Sequence, residues 1–154
     1  MCKELEQILS AGKPYIGVVQ GKSMLPFLRD AIDHVDIRPI KKKIKKFDII
    51  LYKRDNGQYV LHRLIQCHNQ TYVMRGDNQY KKEFGIQPEM CLGILYGYWK
   101  NTGTCKERYV SVSDISYKTL SFLWLSSYPI RFFVRYIRTI CNIIFQKIKR
   151  RHQL

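Results

Sequence analysis

The sequence predicts a mainly β fold, with a short helix at its start and a basic amphipathic helix at its end. Three observations carry this expectation. From Tyr15 to Val112 the chain passes through strand-length runs rich in β-branched and aromatic residues, several alternating apolar with polar. Two of the runs are joined by Asp55-Asn56-Gly57, a hairpin signal because Asn-Gly tolerates positive φ. From Pro129 onward the apolar residues recur with helical period. The 154 residues, 45% of them apolar, suffice for one modest core and an appendage.

The elements follow in order. Leu5, Ile8 and Leu9 recur at helical spacing within residues 2–11, and Gly12 with Pro14 ends that helix. YIGVVQ is the first expected strand and HVDIRPI the second. FDIILYKR and QYVLHRLIQ form the hairpin, and a turn at His68-Asn69-Gln70 leads into TYVMRG. MCLGILYGYW is another strand, with Gly93 and Gly97 as expected bulge positions, and ERYVSVS is one more. The expected division is an N-terminal helix over 1–14, a β-rich domain over 15–112 and a basic tail over 113–154.

Within the tail, Arg131, Arg135, Arg138, Asn142 and Lys149 fall on one helical face, while Phe133, Ile137, Ile140, Ile144 and Ile148 fall on another. A helix of this kind suits a membrane surface. Its early arginines argue against spanning, because each would cost about 2.5–3.5 kcal/mol at mid-bilayer. The uncharged run Thr119–Ile130 is also too short to cross.

Charge and cysteine content narrow the classes further. The net charge of +15 points to an anionic partner, either lipid headgroups or nucleic acid. No acidic residue follows Asp114, whereas eight Lys or Arg do, and KKKIKK at Lys41–Lys46 reads as a solvated basic loop. Five cysteines at wide spacing form neither a disulfide framework nor a zinc pattern, so free thiols are expected, with no metal and no cofactor. The charged N-terminus lacks the apolar core of a secretory signal.

The chemistry-bearing residues are Ser23, in GKSMLPFL, and one of four histidines. A serine hydroxyl needs a base to become a nucleophile, and histidine is the usual one near neutral pH. His152 is terminal, His68 lies in a turn and His34 lies between Asp33 and Asp36. His62, in YVLHR, is the candidate held within a strand.

GKSMLPFL, FDIILY, YVLHR and MRGDN occur in this order with short gaps. Together they resemble the serine peptidase superfamily of type I signal peptidases and LexA-like autopeptidases, over residues 15–98. The resemblance implies a coiled β-barrel with Ser23 as nucleophile, His62 as its base, and Asp77 orienting His62 or shaping the site. It also implies a Ser23 N–H that helps hold the oxyanion, and Gly21, Met24 and Pro26 that shape the loop and substrate groove. Asp48 and Arg63 are expected to be structural. The RGD tripeptide and the Asn69-Gln70-Thr71 sequon are expected to be incidental.

Three departures from the family pattern stand out. Gly21 stands where many signal peptidases have a serine, as it does in LexA-like members. Phe47 replaces the glycine expected before Asp48. The usual N-terminal anchor is not expected, and the basic tail is expected to take its place on the cytoplasmic face. The expected function is therefore a serine endopeptidase that removes a leader or signal segment from a precursor, with no nucleic-acid partner. Two other readings stand beside it. One is a self-cleaving repressor type cut at Ala11-Gly12. The other is a non-catalytic basic β-domain that binds nucleic acid or a membrane surface.

Overall fold

The computed structural model describes residues 2–68, 70–101 and 107–151, with backbone alone for 2, 3 and 145–151. The chain divides into two compact units, 1–117 and 118–154.

The first unit is an antiparallel sheet of eight strands with a helix on it. Helix α1 spans Cys2–Ser10. The strands are β1 (Tyr15–Val18), β2 (His34–Pro39), β3 (Ile49–Lys53), β4 (Tyr59–His68), β5 (Thr71–Arg75), β6 (Glu83–Ile86), β7 (Cys91–Asn101) and β8 (Glu107–Ser111). Their order is β1-β2-β7-β3-β4-β5-β6, with β8 paired to β7 off that path. The sheet stays open, with β1 and β6 at its ends, rather than closing as the resemblance implies.

The expected elements are present, with two additions. Strand β6 and helix α2 (Ile115–Ser126) fall where the sequence shows no clear period. The hairpin turns at Gly57, φ +83°, and the Asn56 side chain accepts from the Gln58 N–H at 3.0 Å. The β4–β5 turn carries Gln70 at φ +65°, while Asn69 lies outside the described residues. Register shifts occur on β7 just ahead of Gly97 and Gly93, the two positions expected from sequence. A Cβ at Gly93 would meet Ile37 at 2.7 Å, so this glycine lets β2 and β7 close together.

One side of the sheet buries Ile50, Tyr52, Val60, Leu64, Met74, Ile86 and Ile94 as a cluster. Alternation along β3 and β4 puts Ile50, Tyr52, Val60, His62 and Leu64 on this side, and Leu51, Leu61 and Arg63 on the other. Helix α1 is pinned by Leu9, buried near Gly93, and by Glu6, which accepts from Lys53 and Tyr59.

Phe47 keeps the turn a glycine would make. It sits at φ +76°, a left-handed conformation that costs a bulky residue about 1–2 kcal/mol. Three bonds hold it there. Its N–H donates to the Leu64 carbonyl at 2.8 Å, its carbonyl accepts from Arg63 Nη1 at 3.0 Å, and the Asp48 N–H closes the turn on Lys45.

The second unit contains the rest of α2 and α3 (Tyr128–Arg151). Among the described residues, no helix is long and apolar enough to cross a membrane.

Candidate active site

The site begins at the end of β5. At this end of the β4–β5 ladder the last two pairs are Leu64 with Met74 and Arg63 with Arg75. Gly76 follows directly after β5, at the start of the turn. Gly76 has no side chain, and Ser23 occupies the vacant place. A Cβ built on Gly76 would stand 3.0 Å from Ser23 Cβ and 2.6 Å from the Ser23 carbonyl oxygen. Ser23 thus packs on the Gly76 backbone just beyond β5, the strand paired with the one that carries His62.

The serine loop is tied down from both ends. The Asn78 N–H donates to the Ser23 carbonyl at 2.8 Å, and Asn78 Nδ2 donates to the Lys22 carbonyl at 3.2 Å. Met24 and Leu28 are fully buried and anchor the loop in the core, whereas Pro26 is exposed. Met24 therefore acts as an anchor rather than a groove residue. Among the described residues, Ser23 donates no hydrogen bond through its N–H or its hydroxyl, which leaves both groups for a substrate. Gly21 does not offer the same. Its N–H donates to Asp30 Oδ1 at 2.8 Å, and its φ of +92° explains why glycine stands here.

His62 is 2% exposed. Its Nδ1 lies 3.2 Å from Glu83 Oε1 and 3.2 Å from the Tyr52 hydroxyl. The Tyr52 hydroxyl donates to Glu83 Oε2 at 2.9 Å, so its proton is committed there. Both oxygens that face Nδ1 are therefore acceptors, and Nδ1 carries the imidazole proton. Nε2 is left with a lone pair, as a general base requires. Burial pushes the His62 pKa down, Glu83 opposes this, Arg54 adds to it and Asp77 opposes it, and the net is a value below the ordinary 6.5. The imidazole is neutral at neutral pH.

Glu83 is held in turn. Arg54 Nε donates to Oε2 at 2.9 Å and Arg54 Nη2 to Oε1. Burial pulls the Glu83 carboxyl upward, but the bonds from Arg54 and Tyr52 outweigh it and keep the group ionised. The resemblance gave Asp77 as orienting His62 or shaping the site. Asp77 makes a two-pronged pair with Arg63, Nε to Oδ1 at 2.8 Å and Nη2 to Oδ2 at 2.7 Å, on the side of β4 away from His62. Paired with Arg63, Asp77 lies in the Gly76-Asp77-Asn78 turn, whose Asn78 N–H donates to the Ser23 carbonyl. Arg63 also reaches the Tyr117 hydroxyl at 3.1 Å and lies over the Phe27 ring. Glu83 left one trace in the sequence: it is the only acid between Asp77 and Glu89.

An apolar cavity of about 450 Å³ lies on the other side of the sheet from His62, lined by Val18, Val19, Gln20, Leu51, Tyr59 and Leu61 among others. Gln20 leads directly into the serine loop and Leu61 directly precedes His62. Among the described residues, no group of three His, Cys, Asp or Glu side chains is placed to hold a metal ion, and Cys67, Cys91 and Cys141 are free thiols. In comparisons with known proteins, no family model matches the chain and no curated protein matches it.

Proposed function

We propose that the protein is a serine endopeptidase resembling type I signal peptidase, built on that family's coiled β architecture, which cleaves a leader or signal segment from a precursor. Ser23 is the nucleophile, His62 the general base, and Glu83 the residue that orients His62. What supports this reading is the glycine gap at position 76, filled by Ser23 just beyond β5, next to the strand that carries a buried histidine whose Nδ1 is already engaged.

In the reaction His62 Nε2 takes the Ser23 hydroxyl proton as Oγ attacks the scissile carbonyl carbon. The Ser23 N–H donates to the developing oxyanion. His62 then returns the proton to the leaving amine, and water releases the acyl group by the same exchange. The substrate lies extended along β1, which among the described residues pairs only with β2 and so has an open edge.

The test is cleavage of a precursor encoded next to the protein. Ser23→Ala and His62→Ala should each lower the rate by at least about a thousandfold while leaving the unfolding transition in place. Wild-type rates in Ser23→Ala would end the proposal.

A further inference from the structure

The second unit presents a two-sided surface that the peptidase reading leaves unused. Along α3, at 100° per residue, Ile130, Phe133, Val134, Ile137, Ile140 and Ile144 fall within an arc of about 120°. This arc is solvent-facing: Ile130 is 69% exposed and Phe133 62%. Arg135, Arg138 and Asn142 fall within a separate arc of about 60° and are also exposed. The apolar surface starts earlier than the sequence pattern implied, because Leu120, Phe122 and Leu123 of α2 are more than half exposed.

One arginine belongs to neither arc in practice. Arg131 folds back across the α2–α3 joint, donating from Nε to Ser127 Oγ at 3.0 Å and from Nη2 to the Trp124 carbonyl at 2.9 Å. Its guanidinium lies 3.8 Å from the Trp124 ring centroid. It braces the joint, and Arg135 and Arg138 are exposed on the basic arc.

We infer that α2 and α3 form a peripheral docking element for an anionic lipid bilayer, with the apolar arc entering the headgroup boundary and Arg135 and Arg138 meeting lipid phosphates. Two features favour lipid over other occupants. An apolar arc rich in Phe and Ile has no use against a polynucleotide backbone, but it matches the acyl boundary. The eight Lys and Arg after Asp114, with no acid among them, complement an anionic surface and would repel a second copy of the same helix.

The test uses the full chain carrying Ser23→Ala, so binding is read apart from any peptidase activity. It is sedimented with phosphatidylcholine vesicles, with and without phosphatidylglycerol. The chain should pellet with the anionic vesicles at low salt and much less with phosphatidylcholine alone. Arg135→Glu with Arg138→Glu should weaken that binding about tenfold or more. Phe133→Glu with Ile137→Glu should abolish it. These side chains are exposed, so an unchanged thermal transition confirms that each variant still folds. Failure of the parent chain to pellet, or equal pelleting of the arginine pair variant, would overturn the inference. So would a vesicle-independent dimer that Phe133→Glu dissociates, or binding of an oligonucleotide in place of vesicles.

Discussion

His62 sits between charges of opposite sign, and its value as a base depends on their balance. Glu83 favours the protonated imidazole, while Arg54, clamped on Glu83, disfavours it. The two neighbours therefore move the acid limb of a pH–rate profile in opposite directions. Glu83→Gln removes the carboxylate charge, so the His62 pKa falls and the limb moves to lower pH. The plateau also drops, because Nδ1 is no longer held by an anion. Arg54→Met removes the cation, so the pKa rises and the limb moves to higher pH. Measuring kcat/KM against pH for both variants reads the two shifts, and limbs that stay in place would remove His62 from the reaction. Gly76 supplies the second residue-scale prediction. An alanine there puts a methyl 2.6 Å from the Ser23 carbonyl oxygen, which is backbone and cannot swing aside. Gly76→Ala should displace the loop, cost about 1–3 kcal/mol and abolish cleavage with every reacting side chain still present. Full activity in that variant would show that Ser23 does not work from its place on Gly76.

At the scale of elements, the β4–β5 pair and the turn after it act as a single clamp on the serine loop. The bond across it is Arg63 with Asp77, whose side chains are 2% and 1% exposed. Removing one partner leaves a charge buried without compensation, at a cost of about 3–5 kcal/mol. Asp77→Asn should show a loss of that order in a denaturant titration, and Arg63→Met with Asp77→Leu should restore most of it. A loss near zero for Asp77→Asn would mean that the turn is held by other contacts. The same elements show what was legible beforehand. Strands β3, β4 and β5 stood out because alternating apolar residues and an Asn-Gly turn mark them locally. Ser23 and His62 stood out because a nucleophile and a base are chemically distinctive. Strand β6 did not: EFGI exposes Phe84 and places Gly85 at φ +75°, so it shows neither alternation nor an apolar run. Glu83 stayed hidden with it, because its role exists only where β6 meets the β3–β4 hairpin. Asp77 is paired with Arg63, which strand alternation sends to the side of β4 away from His62.

At the scale of the whole molecule, the division at Tyr117 separates the proposed chemistry from the proposed docking element. Ser23, His62, Glu83 and Asp77 all belong to the first unit, and so does the start of α2. Tyr117, 5% exposed, packs edge-on against Phe27 and Tyr98 and accepts from Arg63. It therefore supports the clamp from a helix whose later turns belong to the second unit. Truncation should be sensitive to which side of this residue it falls on. A chain ending at Ser127 keeps Tyr117 in a helix two turns from the new end, and should retain its thermal transition and its rate on a soluble peptide. A chain ending at Asp114 loses the tyrosine, leaves Phe27 and Tyr98 facing a gap, and should lose about 3 kcal/mol. Calorimetry and peptide cleavage on the two truncations read both effects. Loss of cleavage in the Ser127 chain would place part of the catalytic machinery in the second unit, and unchanged stability in the Asp114 chain would take Tyr117 out of the core.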